Sequence, residues 1–351
     1  MKVSVEHVRI PMRCAMEAAW GTTSARELLL VELTDADGRR GFGEAAPLPG
    51  YDGVTIADTA QALQDCRAVL EAPEAAEREA LLAACAARTV VPQALSAIDL
   101  ALWDLEGRRR GAPVWQLLGA RDAAPVVVNY TIAAGDRAGA AREAGVARAD
   151  GYRCVKLKVG TGDDAGRLAA VRAVAGPDMA IRLDANGAWD AEQADATLRV
   201  LAPAGIECCE EPVHGLDAIE ALSLVSEVAL AIDETTGAPG ALERRRCTAV
   251  CLKLGRSGGI TGLVDAARRA RAAGYEVYLA SALDGPLGIA AALHAAVVIE
   301  PDRPCGLATL GLFESAPAAP VVQAGMASAP PGPGLGDGLH DWYRSAGAPG
   351  R

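Results

Sequence analysis

Of the chain's 34 lysine and arginine residues only four are lysine, and three of these, Lys156, Lys158 and Lys253, lie inside apolar, strand-like runs, CVKLKVG and AVCLKLG. Arginine keeps its proton in a protein, whereas burial and neighbouring charge can tune lysine into a base. A chain that uses arginine for ordinary positive charge and lysine in its apolar runs has placed the lysines for chemistry. Acids end the runs that lie between them: Asp184 in RLDAN, Glu210 in ECCEEP and Asp233 in AIDE, with Asp284 just past YEVYLAS. From Lys158 to Lys253 the successive gaps are 26, 26, 23 and 20 residues. Each gap has the length of one strand–helix unit.

Those intervals fix the elements that must carry the residues. Short apolar runs occur at 126–132, 153–159, 179–185, 205–211, 228–234, 249–255, 275–281 and 305–311, most of them separated by alanine- and arginine-rich helical stretches. Eight strands alternating with helices predict a parallel β/α barrel. An open doubly wound sheet is the competing fold, but no glycine-rich nucleotide fingerprint supports it. Before the barrel, residues 2–10 and 27–34 read as strands, DADG as a turn and GRRGFGEAA as a return strand. The stretch 55–120 is helical in pattern, with VPQALSAIDLALWDLEGRRR closed by Gly111 and Pro113. The fold class is therefore α/β, an α+β domain over 1–120 and a barrel over 121–314. The Pro/Gly-rich segment 315–351 is expected to return to the first domain.

In a β/α barrel, chemistry sits at the C-terminal ends of the strands. Lys156 and Lys158, two residues apart, point to one face. Asp184, Glu210 and Asp233 converge from adjacent strands, and three oxygen ligands without nearby Cys or His suit a hard cation, Mg²⁺ best and Mn²⁺ as its substitute. The second and sixth strands stand opposite each other, so Lys158 and Lys253 face one substrate from two sides. Metal and mutual repulsion are expected to lower the lysine pKa values. The set fits abstraction of a proton α to a carboxylate. Taken singly, KLK is a half-solvated edge, DAN a turn and EEP a strand end; together, at successive strand ends, they are a site. The four histidines are scattered and read as structural. Gly258–Gly259 permits a tight turn whose amides are free for an anion.

Composition narrows the partners. Apolar residues are 51% and charged residues 23%, a globular balance, and the net charge of −11 opposes a nucleic-acid or anionic-membrane partner. No apolar run is long enough to span a membrane, and the N-terminus reads as a strand and not as a signal peptide. Nine cysteines, odd in number and without CxxC, indicate a reduced, cytoplasmic setting.

KLK at 156–158, DAN at 184–186, EEP at 210–212, DE at 233–234 and KLGRSGG at 253–259, with GFGEAAPLPGYDG at 41–53, resemble the enolase superfamily in its muconate-lactonizing-enzyme subgroup. The resemblance covers nearly the whole chain. It implies an N-terminal capping domain, a modified (β/α)₇β TIM barrel, Mg²⁺ on Asp184, Glu210 and Asp233, catalytic Lys158 and Lys253, and Lys156 beside Lys158 as its modulator. It also implies a small carboxylate substrate and a homo-oligomer. Dipeptide epimerases of the subgroup carry Asp-x-Asp on the eighth strand, where this chain has Cys305-Gly306-Leu307-Ala308-Thr309. SALDGPLGIAA with CGLAT resembles o-succinylbenzoate synthase, so dehydration to o-succinylbenzoate is the first expectation. Racemisation or epimerisation of N-acylamino acids or dipeptides, and muconate-type cycloisomerisation, use the same lysines. A metal-binding barrel without catalysis is the remote alternative, opposed by the paired lysines. Substrate contacts are expected from the capping loops near 16–26 and 47–53, through Trp20, Arg26 and Tyr51, and from Asn186 and Asp284.

Overall fold

The computed structural model describes residues 1–72 and 76–347. Its first domain is a three-stranded antiparallel sheet, β1 (Lys2–Ala18), β2 (Gly21–Thr34) and β3 (Arg40–Ala45), in sequence order. The ELLLVELT run of β2 is buried on both faces: Leu29, Val31 and Leu33 pack with the cap helices, Leu28 with Val8 and Ile10 on the barrel side. Strands expected at 2–10 and 27–34 run on to meet at a hairpin around Trp20. Residues 16–26 are thus mostly paired strand and not a loop.

The helices follow: α1 (Pro49–Asp52), α2 (Ile56–Leu70), α3 (Arg78–Ala86), α4 (Pro92–Arg110) and α5 (Val114–Leu117). A capping box between Thr55 and Asp58 starts α2, and Gly111, at φ +66°, ends α4. The helix α4 lies directly on β3, where a Cβ at Gly43 would come within 1.9 Å of the Ala97 carbonyl oxygen. Glycine in the GFGEA run is what lets strand and helix backbones approach.

The second domain begins at β4 (Val126–Val127) and β5 (Tyr130–Ile132), then alternates through α6 (Arg137–Ala149), β6 (Cys154–Lys158), α7 (Asp164–Ala175), β7 (Ala180–Asp184), α8 (Ala191–Leu201), β8 (Ile206–Glu210) and α9 (Leu216–Ser223). It continues with β9 (Leu230–Ile232), β10 (Ala249–Lys253), α10 (Ile260–Ala272), β11 (Glu276–Ala280) and α11 (Pro286–Ile299). Seven parallel strands run in the order β11–β10–β9–β8–β7–β6–β5. Only a short 3₁₀ turn, Glu234–Gly237, follows β9. The eighth strand expected over 305–311 shrinks to Cys305 and Gly306, which bridge to Val128 and Ala280 and close the barrel. Beyond them the chain turns into a 3₁₀ helix at Leu310–Leu312.

The C-terminal segment divides. A hairpin of β12 (Val322–Gln323) and β13 (Met326–Ala327) joins β4, a barrel element. Farther on, Leu335 N–H donates to Asp104 on α4 at 2.8 Å, and Trp342 and Tyr343 of α12 (Asp341–Ala346) pack with Val8 and Ile10. Among the described residues no helix is long and apolar enough to cross a membrane.

Candidate active site

Residues 154–158 alternate across the barrel wall, so Lys156 and Lys158 both reach the interior at the mouth. Register places Lys158 beside Asp184 and Asp184 beside Glu210. The ammonium groups close on these carboxylates. Lys156 Nζ lies 2.8 Å from Asp184 Oδ2 and also donates to Glu210 Oε2. Lys158 Nζ is 2.6 Å from Asp184 Oδ2 and 2.6 Å from Asn186 Oδ1, whose amide in turn donates to Glu234 at 2.8 Å. On the other side Lys253 Nζ donates to Asp233, and Tyr51 Oη donates to the second Asp233 oxygen at 2.7 Å. The Lys253 ammonium also stands 3.9 Å from the centre of the Tyr51 ring.

These contacts reverse one expectation. Burial works to lower the pKa of Lys156, but Asp184 and Glu210 at contact distance outweigh it and the net shift is upward. Lys253 is raised in the same way, burial being overcome by Asp233. Asp184 mirrors them: burial would raise its pKa, yet Lys156 and Lys158 hold it well below the usual carboxylate range. With these ion pairs formed, Lys156 and Lys253 are protonated partners of the acids.

The acids have the chemistry of a cation site. Glu210 Oε1 is buried without a hydrogen-bond partner among the described residues. Ligand atoms of Glu210, Asp233 and Cys251 lie within 4.8 Å of one another. Burial pushes the Cys251 thiol well above its ordinary pKa, which keeps it protonated and a poor ligand. Asp184, adjacent to Glu210 in register, is the oxygen donor a hard cation prefers.

Lys156, Lys158, Lys253, Asp184, Asn186, Tyr51 and Trp20 share one cavity of about 50 Å³, roofed by Met16, Leu48 and Leu283. Trp20 lies against Gly50, where a Cβ would come within 2.8 Å of its ring, and its buried indole N–H has no acceptor among the described residues. Two expected contacts fall outside. Arg26 is only 2% exposed, and its guanidinium donates to the carbonyls of Ala46 (2.9 Å), Pro47 (2.9 Å) and Leu283 (3.3 Å). It ties the cap segment to the barrel loop and has no free face for a substrate. Asp284 is buried beneath that loop, where its Oδ2 accepts from Ala282 N–H at 3.1 Å.

Several residues that hold the site had no local signal in the sequence. Glu44 accepts from the amides of Gly285 (2.7 Å) and Gly288 (3.3 Å) at the start of α11, and from Tyr343 Oη. Burial, with the Asp284 charge, pushes its carboxyl up to about 7. The Gly258–Gly259 amides are not free for an anion, since they donate to the carbonyls of Gly255 (3.4 Å) and Leu254 (3.1 Å); just past the turn, Asp99 of α4 accepts from Thr261 N–H at 2.9 Å and Thr261 Oγ1 at 2.6 Å. A Cβ at Gly259, where φ is +101°, would collide with Asp99 Oδ2 at 2.5 Å. Glu211, at φ +38°, accepts from Asp233 N–H at 2.7 Å and Thr235 N–H at 3.1 Å and braces the end of β9. Inside the barrel Arg182 stands 3.6 Å from Glu210 Oε1 and 4.1 Å from the centre of the Tyr278 ring.

Known proteins agree with this architecture. Residues 139–341 match the enolase C-terminal domain-like family, and residues 1–119 match the mandelate racemase / muconate lactonizing enzyme N-terminal domain. A hydrophobic dipeptide epimerase of Enterococcus faecalis is 30% identical over 90% of this chain and 93% of its own. An N-succinyl-L-Arg/Lys racemase of Bacillus cereus is 29% identical over 84% of each chain. Muconate cycloisomerase 1-1 of Acinetobacter lwoffii is 31% identical over 81% of this chain and 77% of its own. A solved N-succinyl Arg/Lys racemase from Bacillus cereus superposes with a TM-score of 0.91 at 26% identity, covering 99% of this chain and 98% of that one. A dipeptide epimerase from Enterococcus faecalis, complexed with Mg and L-Leu-L-Tyr, gives 0.87 at 26% identity over 95% and 98%. These relatives isomerise. Dehydration to o-succinylbenzoate, the first choice from the sequence, has no counterpart among them, and the racemase, epimerase and cycloisomerase alternatives are better supported. With cap, barrel and both domain matches in agreement, the chain belongs to the enolase superfamily, among the enzymes of the muconate-lactonizing-enzyme subgroup.

Proposed function

We propose that the protein racemises or epimerises the α-carbon of an N-acylated amino acid, with Lys158 and Lys253 as the two bases. The observation that carries this reading is their placement: β6 and β10 are separated by β7, β8 and β9, yet both lysines line one cavity. A carboxylate substrate seated between them presents one face of its α-carbon to each. Lys158 takes the α-proton from one face and Lys253 delivers a proton to the other, and the roles exchange for the opposite enantiomer. Each such transfer contributes about 10²–10⁴-fold in rate.

Asp184, Glu210 and Asp233 would hold a divalent cation, Mg²⁺ or in its place Mn²⁺, which when bound supplies positive charge to the substrate carboxylate and acidifies the α-proton. Lys156, held on Asp184 and Glu210, keeps a fixed charge next to Lys158. Asn186 directs the Lys158 ammonium, and Tyr51 holds Asp233 beside Lys253. Trp20 and Leu48 line the cavity on the cap side. An acyl substituent on nitrogen fits better than a free amine, since Cys305–Thr309 offers no acid to pair an ammonium.

Polarimetry with Mg²⁺ on single stereoisomers of N-acetyl- and N-succinylamino acids and of dipeptides, with an ultraviolet assay on cis,cis-muconate, tests the proposal. Decay of rotation for the N-acyl compounds is the expected result. Preferential turnover of dipeptides, or lactone formation from muconate alone, would overturn it.

A further inference from the structure

We infer that the hydroxyl pair of Ser281 and Thr309 is the subsite for the acyl oxygen of the substrate, an inference that rests on the N-acylamino acid reading above and names how the acyl group is recognised. Strand order leaves little choice of direction. The carboxylates occupy the ends of β7, β8 and β9, and the lysines flank them on β6 and β10. With the substrate carboxylate on the acid side and its α-carbon between the lysines, two substituents remain: the side chain suits the cap residues Met16, Trp20 and Leu48, and the polar nitrogen substituent suits the hydroxyl-bearing arc of β11, Cys305–Gly306 and β5. The cavity lining there is Ala280, Ser281, Ala282, Gly306, Thr309 and Thr131, all uncharged.

Hydrogen counting shows what that wall offers. Ser281 Oγ and Thr309 Oγ1 are 2.7 Å apart, and Ser281 Oγ also accepts from Leu283 N–H at 3.2 Å. Two hydroxyls bring two protons, and the bond between them uses one. The second proton has no acceptor in the described hydrogen bonds and belongs to a group lining the cavity. A neutral donor on an uncharged wall suits a carbonyl oxygen. An ammonium would find no counter-charge there, and a carboxylate only one neutral proton.

The experiment compares kinetics of wild type, Ser281→Ala, Thr309→Val and the double variant on an N-acetylamino acid and on its thioacetyl analogue, whose sulfur is a weak acceptor. The inference predicts that wild type favours the oxygen compound several-fold and that the double variant loses this preference. It also predicts a KM raised about tenfold on the oxygen compound with kcat nearly unchanged, as for a contact made equally in ground and transition states. Wild type without any oxygen-over-sulfur preference overturns the subsite even if the variants fold poorly. Variants that keep both KM and preference overturn it while racemisation stands. Wild type that racemises no N-acylamino acid overturns this inference together with the functional reading beneath it.

Discussion

Lys158 and Lys253 have three strands between them in the barrel wall, yet their ammonium groups line the same cavity, each held by a carboxylate, Asp184 for one and Asp233 for the other. The acids that orient the lysines are the same acids that would hold a cation. A divalent ion on these carboxylates sets positive charge against both ammonium groups and favours their neutral, basic forms. Cation and substrate activation are thereby coupled through Asp184 and Asp233.

Cation affinity follows from the donor set. Glu210→Gln removes a buried negative charge whose Oε1 accepts no hydrogen bond among the described residues, and is expected to weaken Mg²⁺ binding by about tenfold or more. Cys251→Ala removes a protonated thiol and should leave affinity within about threefold. Isothermal titration with Mg²⁺, repeated with Mn²⁺, measures both. A large loss in the Cys251 variant would put the thiol among the ligands.

Arg26 acts at a distance from the cavity it shapes. Arg26→Met strands three carbonyl oxygens, of Ala46, Pro47 and Leu283, and leaves Asp284 and Glu44 without their nearby positive charge. A loss of about 3 kcal/mol in stability is expected, as for breaking a buried charged contact. Because Leu48 and Leu283 roof the cavity, KM should rise more than kcat falls. Thermal melting and steady-state kinetics check the two parts separately.

How much of this was visible beforehand depends on the range of each interaction. The strand ends were legible because a polar residue closing an apolar run is a local pattern, and Lys156, Lys158, Asp184, Asn186 and Lys253 meet in one cavity. The helix α4 was legible from its spacing and Gly111. Arg26 was expected at the substrate and Glu44 was missed because their partners are remote: Arg26 meets Leu283 across 257 residues, and Glu44 meets Tyr343 across 299. Asp284 accepts from Ala282 only two residues away but is buried, which its local sequence does not reveal. The eighth strand was overdrawn because an apolar run does not reveal how few of its residues find a neighbour to pair with.

Asp99 gives the cap–barrel contact a pH dependence. Burial raises its carboxyl from 3.8 to about 6, against the hydrogen bonds from Thr261 and the charge of Arg78. A group whose pKa is raised by folding binds its proton more tightly in the native state. Its stabilising contribution is complete below about pH 4 and is lost as pH rises through about 6, a change of about 3 kcal/mol. Asp99→Asn should therefore flatten the stability–pH curve between pH 4 and 7 relative to wild type. Urea unfolding across that range measures it, and parallel curves would show that Asp99 titrates normally.

The most direct test of the two-base account is α-proton exchange in D₂O, followed by ¹H NMR, for each enantiomer of an N-acylamino acid with wild type, Lys158→Ala and Lys253→Ala. Wild type should exchange and racemise both enantiomers. Each variant should lose racemisation by at least about 10³-fold yet retain exchange of a single enantiomer, the two variants keeping opposite ones. Racemisation surviving in either variant, or both variants retaining the same enantiomer, would contradict the assignment of Lys158 and Lys253 to opposite faces of the substrate.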